Sequence, residues 1–169
     1  IFFYVGVEVG IANFANLFMT QSVDKGGLAI DTTVAGTIAG TYWFLMLIGR
    51  LTGASLGAKF SSKSMLTFVS SLGILLILLA IFLPLSTTVN MPVFKSDISF
   101  GLAEVPIGIM LMILCGLCTS VMWGNIFNLA VEGLGKYTAA ASGIFMVMVC
   151  GGGVLPLIQG AVAGGFGYL

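Results

Sequence analysis

An acidic residue lies inside the first long apolar stretch of the chain. Glu8 is the one charged residue between Ile1 and Thr20. A carboxylate within an apolar helix is costly unless it faces protein or water. We therefore predict that Glu8 takes up a proton, coordinates a cation or contacts a polar ligand. The alternatives are a structural hydrogen bond to a neighbouring helix or a position shallow enough to reach the lipid headgroups.

Amides extend this polar character along two predicted helices. Asn13 and Asn16 share one helix face, and at 100° per residue Glu8 lies within about 80° of Asn16. A second stripe has four-residue spacing and consists of Ser120, Gly124 and Asn128, with Trp123 and Asn125 beside it. Two polar faces, one of them partly aromatic, are therefore predicted.

These residue types suit a neutral sugar. Amides and a carboxylate bind hydroxyl groups, and the indole of Trp123 can pack against the C–H face of a pyranose. Trp43 stands in the middle of the second apolar stretch, where an interfacial aromatic belt does not explain it, and is predicted with Tyr42 to line the same cavity. The alternative is that the amides tie helices together and the aromatics fill space.

Composition indicates the solvent that surrounds the chain. Hydrophobic residues make up 59% and charged residues 7% of the sequence, against roughly half and a quarter in soluble domains. The scattered basic residues do not form the cluster that nucleic acid requires. The three cysteines lie in apolar runs, and with no histidine in the sequence we interpret them as packing residues. The lipid bilayer is the predicted partner, without nucleic acid and without a bound metal or cofactor.

Five apolar segments are long enough to span a bilayer, which needs about 20 residues. A lipid-embedded backbone must satisfy its own hydrogen bonds, and these segments lack the alternation of barrel strands, so we predict an all-α, polytopic helical bundle. The predicted spans are 1–20, 32–51, 65–85, 105–131 and 138–157. Small residues at four-residue spacing, such as Gly49 and Gly53, predict close helix packing. The fifth helix is predicted to be weakened or bent, because it contains Gly152, one of three consecutive glycines, and Pro156. Transporters have such helix discontinuities near their substrate sites.

The basic residues predict the orientation. Arg50, at the very end of the second span, is counted with Lys59 and Lys63 in the second connection, and Lys136 falls in the fourth. The first and third connections hold Lys25 and Lys95. By the positive-inside rule the second and fourth connections are cytoplasmic. The acidic residues expected on the far side are Asp24, Asp31, Asp97 and Glu104.

Three strings carry a family resemblance: YVGVEVGIANF at 4–14, GRLTGASLGAKFSSKSML at 49–66 and WGNIFNLAVEGLGKYTAAASG at 123–143. They resemble the fucose permease and glucose/galactose transporter family of major facilitators. The resemblance implies that the five helices correspond to the seventh through eleventh, and the GGFGYL ending looks like the approach to a twelfth. It also implies that the N-terminal half, with the principal carboxylates of cation coupling, and the last helix lie outside this sequence. The segment 49–63 is similar to the second copy of the cytoplasmic loop signature, without its acidic residue, so Arg50 is a gating candidate.

The function that follows is symport of a monosaccharide such as fucose, glucose or galactose with H⁺ or Na⁺ across the inner membrane. Two helical bundles would rock about a site between them. An anion carrier usually needs a basic residue inside its helices, and we place none there, which favours an uncharged substrate. The alternatives are a major facilitator for another neutral solute or drug, and a channel or scaffold subunit. An enzyme is disfavoured because the chain lacks histidine and paired carboxylates.

Overall fold

The computed structural model describes residues 1–95 and 99–166. Within them five helical segments are long and apolar enough to cross a membrane, which confirms the predicted all-α bundle. The elements are α1 Phe2–Thr20, α2 Thr32–Gly57, α3 Ser62–Phe82, β1 Thr88–Phe94, β2 Phe100–Pro106, α4 Ile107–Val131, α5 Thr138–Val147 and α6 Gly151–Phe166. The predicted positions of Asp97 and of the last three residues of GGFGYL lie outside the described residues.

Helix α4 is the centre of the bundle. It packs against α2 and α3 and also touches α1, and α1 packs along α6. Most of the largest fully buried side chains belong to α1, α2 and α4, and they include Met19, Ile38, Tyr42 and Ile113. By contrast α3 buries only Met65 and exposes most of its large apolar side chains. Such an apolar exterior is stable in lipid rather than in water.

Glycines let α2 and α4 approach closely. A methyl group added at Gly116 would lie 2.7 Å from the carbonyl oxygen of Tyr42, and one at Gly53 would lie 2.9 Å from Val121 Cγ2. At Gly49 it would meet the side chain of Ser120. The predicted close packing is therefore present at Gly49 and Gly53. A methyl group would meet no described atom within 4 Å at Gly36, Gly40, Gly57, Gly160 or Gly164.

The fifth span is interrupted, although not at its glycines. A 3₁₀ turn at Met148–Cys150 separates α5 from α6, and α6 then runs helically through 151–153 and Pro156. Because Pro156 has no N–H, it cannot donate to the carbonyl of Gly152. An added methyl group at Gly152 would lie 2.8 Å from Val5 Cγ1. The glycines therefore allow α6 to pack against α1.

A β-hairpin, not predicted from the sequence, lies between α3 and α4. Its antiparallel strands pair Thr88 with Pro106 and Phe94 with Phe100. The inner face buries Met91, Val93 and Val105 in the helical core. The ring of Phe94 stacks on Phe44 of α2 at 4.5 Å, and its N–H donates to Thr41 Oγ1 across 3.0 Å. The hairpin is therefore part of the bundle and not a free loop.

Candidate functional site

An ion pair joins α1 and α2 inside the bundle. Arg50 Nη2 lies 3.4 Å from Glu8 Oε1, with 55% of the Arg50 side chain and 7% of the Glu8 side chain exposed. The prediction that placed Arg50 in a connection is wrong, because α2 continues to Gly57. The helix interiors therefore do contain a basic residue. Gly49 and Gly53 of this segment pack against α4. The carboxylate of Glu8 compensates the charge of Arg50.

The two charged residues meet because they lie at equal depth in antiparallel helices. Glu8 follows Phe2, the first residue of α1, by six positions, and Arg50 precedes Gly57, the last residue of α2, by seven. At 1.5 Å per residue both therefore lie about 10 Å from the same end of the bundle. Glu8 is separated from Arg50 by 42 positions in the chain, so this pairing depends on how the two helices pack.

Three hydroxyl groups link α1, α2 and α4 beside the ion pair. Tyr42 Oη donates to the main-chain carbonyl of Glu8 across 2.9 Å and lies 3.0 Å from Thr119 Oγ1. Tyr4 Oη donates to the main-chain carbonyl of Thr119 across 2.7 Å. We call Tyr4, Tyr42 and Thr119 the hydroxyl junction. Tyr42, predicted to line a cavity, is fully buried. Tyr4 and Thr119 were not predicted as site residues, because their spacing in the sequence is not distinctive.

A cavity of about 460 Å³ opens between α2, α4 and the first turn of α3. Its volume falls within the range of small-molecule sites. We call it the α2–α4 cavity, and its polar and aromatic lining consists of Arg50, Ser120, Trp123, Asn125 and Asn128. Trp123 is held by aromatic neighbours, with ring centroids 6.2 Å from Tyr4 and 5.5 Å from Phe145.

The two amides of the cavity differ in setting. Asn125 is buried, and its Nδ2 donates to the carbonyl of Val121 across 2.7 Å, which leaves its side-chain carbonyl oxygen as an acceptor for a ligand. Asn128 lies one turn further along the same helix and is exposed. One wall of the cavity therefore offers an oriented acceptor and an adaptable amide.

The remaining predicted site residues lie elsewhere. Asn13 and Asn16 are exposed on α1, and Trp43 is 46% exposed on α2, with its ring edge-on to Tyr42. None of the three lines the α2–α4 cavity. Gly152 and Pro156 belong to α6, away from this cavity. The structure therefore groups Arg50 with Trp123, Asn125 and Asn128 at one cavity, with Glu8 buried behind Arg50. Asn13, Asn16 and Trp43 are not part of this group.

A second cavity, of about 430 Å³, lies between α1, α3, α4 and α6. Its walls are almost entirely aliphatic and aromatic, with Phe14, Phe18, Ile77 and Met112 among them and Gln159 as a polar residue. A methyl group added at Gly10 would lie 2.9 Å from Gln159 Oε1. This cavity lacks the convergent polar groups that would orient a sugar.

The five helices that are long and apolar enough to cross a membrane define a multi-pass membrane protein, and comparison with known proteins indicates its relatives. The chain is 29% identical over 167 residues to the glucose/galactose transporter of Brucella abortus, covering 99% of this chain and 35% of that protein. It is 30% identical over 162 residues to the putative glucose/galactose transporter of Helicobacter pylori, covering 96% of this chain and 34% of that protein. The resemblance to sugar transporters that the motifs indicate is confirmed.

The extent of these matches is also informative. The chain spans about a third of the length of the curated relatives it matches. No protein-family model and no solved structure matches it. The similarity to the transporters nevertheless runs through all five helices, since it covers nearly the whole chain.

Proposed function

We propose that this chain forms part of a secondary transporter that moves a monosaccharide such as glucose, galactose or fucose across the inner membrane together with H⁺ or Na⁺. The observation that carries the proposal is the similarity of nearly the whole chain to proteins named glucose/galactose transporters. The α2–α4 cavity supports it independently, because its amides, indole and guanidinium are the groups that recognise hydroxyls and pyranose faces.

The chain corresponds in this proposal to helices seven through eleven of a major facilitator. The complementary N-terminal bundle packs against the exposed faces of α1 and α2, which carry Asn13, Asn16 and Trp43. A substrate held between the bundles then contacts those residues and the α2–α4 cavity in turn as the bundles rock. This role accounts for amides that face away from the rest of the chain.

Glu8 is the proposed coupling residue of this half. It is the one acidic residue of α1, and it lies beside Arg50, which lines the α2–α4 cavity. Uptake of H⁺ or binding of Na⁺ at the carboxylate weakens its attraction to Arg50 and changes the charge presented to the cavity. The 3₁₀ turn at Met148–Cys150 supplies a place where the fifth span can bend as α6 moves along α1.

Reconstitution of the complete transporter in liposomes tests the proposal. We expect saturable uptake of labelled glucose, galactose or fucose that depends on an imposed proton or sodium gradient. The 169-residue chain alone should not support uptake, and co-expression with its complementary half should restore it, because the site lies between two bundles. Uptake of another neutral solute but of no monosaccharide would support the drug-transporter alternative, and conduction without saturation would support a channel.

A further inference from the structure

We propose that Arg50 is the charged group that contacts the substrate in the α2–α4 cavity, and that Glu8 holds the guanidinium of Arg50 at the cavity wall. The inference rests on the proposed function, since it assigns a contact residue for the same substrate. This assignment differs from the roles predicted from the sequence, in which Glu8 binds the substrate or the coupling ion and Arg50 is a gating residue in a cytoplasmic connection.

Burial separates the two residues of the ion pair. Arg50 lines the α2–α4 cavity and exposes 55% of its side chain, whereas Glu8 exposes 7% and does not line the cavity. A ligand in the cavity therefore reaches the guanidinium first. Glu8 influences the ligand through Arg50 and is a positioning residue.

The geometry of the pair leaves donors of Arg50 for a ligand. Among the described residues both of its side-chain contacts use Nη2, which lies 3.4 Å from Glu8 Oε1 and 3.4 Å from Met46 Sδ. A two-pronged carboxylate–guanidinium pair would use two nitrogens at about 2.7–2.9 Å. The single, longer contact orients the guanidinium while its Nε and Nη1 groups can donate to hydroxyl oxygens on the cavity side.

The neighbouring side chains match this arrangement. Arg50 has donors and no acceptor, whereas the side-chain carbonyl oxygen of Asn125 accepts, and Trp123 supplies an apolar face in the same cavity. The hydroxyl groups of a vicinal diol can accept a hydrogen bond from Arg50 and donate one to Asn125. The C–H face of the same sugar can pack against Trp123. Because Glu8 cancels the charge of Arg50, the site suits a neutral polyol in spite of its guanidinium.

Variants of the complete transporter separate the two roles. The set consists of Arg50→Gln, Arg50→Lys, Glu8→Gln, the double variant Glu8→Gln with Arg50→Gln, and the control Lys25→Gln, which removes an exposed charge from the turn after α1. Each is purified in detergent, and the dissociation constant of labelled galactose and the unfolding temperature are measured. Arg50→Lys keeps the charge but loses the planar fork.

We expect Arg50→Gln and the double variant both to bind galactose about tenfold or more weakly, because each lacks the charged donor. Arg50→Gln should also unfold at a lower temperature, since it leaves the Glu8 carboxylate buried without its counter-ion. The double variant should recover most of that loss in unfolding temperature without recovering binding. Arg50→Lys should recover stability more fully than affinity, and Lys25→Gln should behave as wild type.

Three results would overturn the assignment. Wild-type affinity in Arg50→Gln or in the double variant would remove Arg50 as a contact residue. If the unfolding temperature of the double variant is no higher than that of Arg50→Gln, the two charges are not coupled. A wild-type transporter that binds no monosaccharide would overturn the proposed function and the contact role with it, while the unfolding temperatures would still decide whether Glu8 is the counter-ion.

Discussion

The phenolic oxygen of Tyr42 in α2 lies 2.9 Å from the main-chain carbonyl oxygen of Glu8 in α1 and donates a hydrogen bond to it. Thr119 Oγ1 of α4 lies 3.0 Å from the same phenolic oxygen. Water does not drive helices together within a bilayer, so interhelical hydrogen bonds and close packing hold them. The hydroxyl junction thus fixes α1 against α2 at the level where Glu8 meets Arg50.

Replacing Tyr42 with phenylalanine should destabilise the bundle by about 1 kcal/mol, because the ring still fits while the hydrogen bonds are lost. The free energy of unfolding, measured by detergent denaturation of the complete transporter, checks this. Tyr137→Phe is the matched control, since Tyr137 is 62% exposed. Equal effects of the two substitutions would contradict a structural role for the junction.

Gly116→Ala should destabilise the protein by about 1–3 kcal/mol through overpacking, since the new methyl group would lie 2.7 Å from the carbonyl oxygen of Tyr42. Gly124→Ala in the same helix is the control, because its methyl group would meet no described atom within 4 Å. It should leave the unfolding free energy unchanged or raise it slightly, as alanine favours helix. The same denaturation measurement compares the two, and a reversed order would be inconsistent with the close contact of α2 and α4.

Alanine at Asn125 or Asn128 should weaken monosaccharide binding by about tenfold, because substrate hydroxyls lose a partner. Asn125→Ala should also lower the unfolding temperature, since its amide bonds to Val121 inside the bundle, whereas exposed Asn128 should affect binding alone. Equilibrium binding of labelled galactose and a thermal melt of the same samples separate the two effects. Unchanged affinity in both variants would remove the amides from the site.

Cysteine labelling tests the predicted orientation. Cys150 is exposed while Cys115 and Cys118 are buried, so Cys150→Ser removes the exposed cysteine among the described residues. In intact cells a membrane-impermeant maleimide should label a cysteine at Lys95 and should label one at Lys63 only after permeabilisation. The reason is that the second and fourth connections, with Lys59, Lys63 and Lys136, are predicted to be cytoplasmic. The opposite pattern would invert the topology.

Asp31, at the start of α2, is expected to stabilise the folded protein in a pH-dependent way. Its side chain accepts from the N–H of Thr33 across 2.8 Å and of Val34 across 3.4 Å. Hydrogen bonds from Thr33 and then from Val34 hold the pKa of Asp31 below its usual range. Because this pKa is lower in the folded protein, ionised Asp31 stabilises the fold at pH values above the unfolded-state pKa of about 3.9. This stabilisation is lost as the pH falls through the folded-state pKa.

Asp31→Ala should therefore lower the unfolding temperature at neutral pH, and the difference from wild type should shrink as the solution is acidified below the folded pKa. Asp31→Asn is the matched control, because asparagine also caps helices but does not titrate. Thermal melts at a series of pH values compare the three proteins. A difference between Asp31→Ala and wild type that grows on acidification would reverse the expected sign.

Local rules were sufficient for the helices and their environment. Each apolar run is long enough to cross a bilayer, and backbone hydrogen bonding leaves helices as the available structure, so the five segments follow from the sequence alone. The motifs also indicated the sugar-transporter resemblance. The hairpin was missed because its inner face, with Met91, Val93 and Val105, is specified by contacts with helices distant in the chain.

The amino-acid sequence by itself determined the five membrane-spanning segments of the described residues and their resemblance to sugar transporters. It also determined which polar residues are costly enough to need a role. Only the tertiary structure decided which of these residues meet. Glu8 and Arg50 come together because the rotation and crossing of α1 and α2 are set by interhelical contacts such as those of Tyr42. The same packing turns Asn13 and Asn16 outward, because a helix presents its faces according to its neighbours, and spacing along one segment does not encode where those neighbours lie.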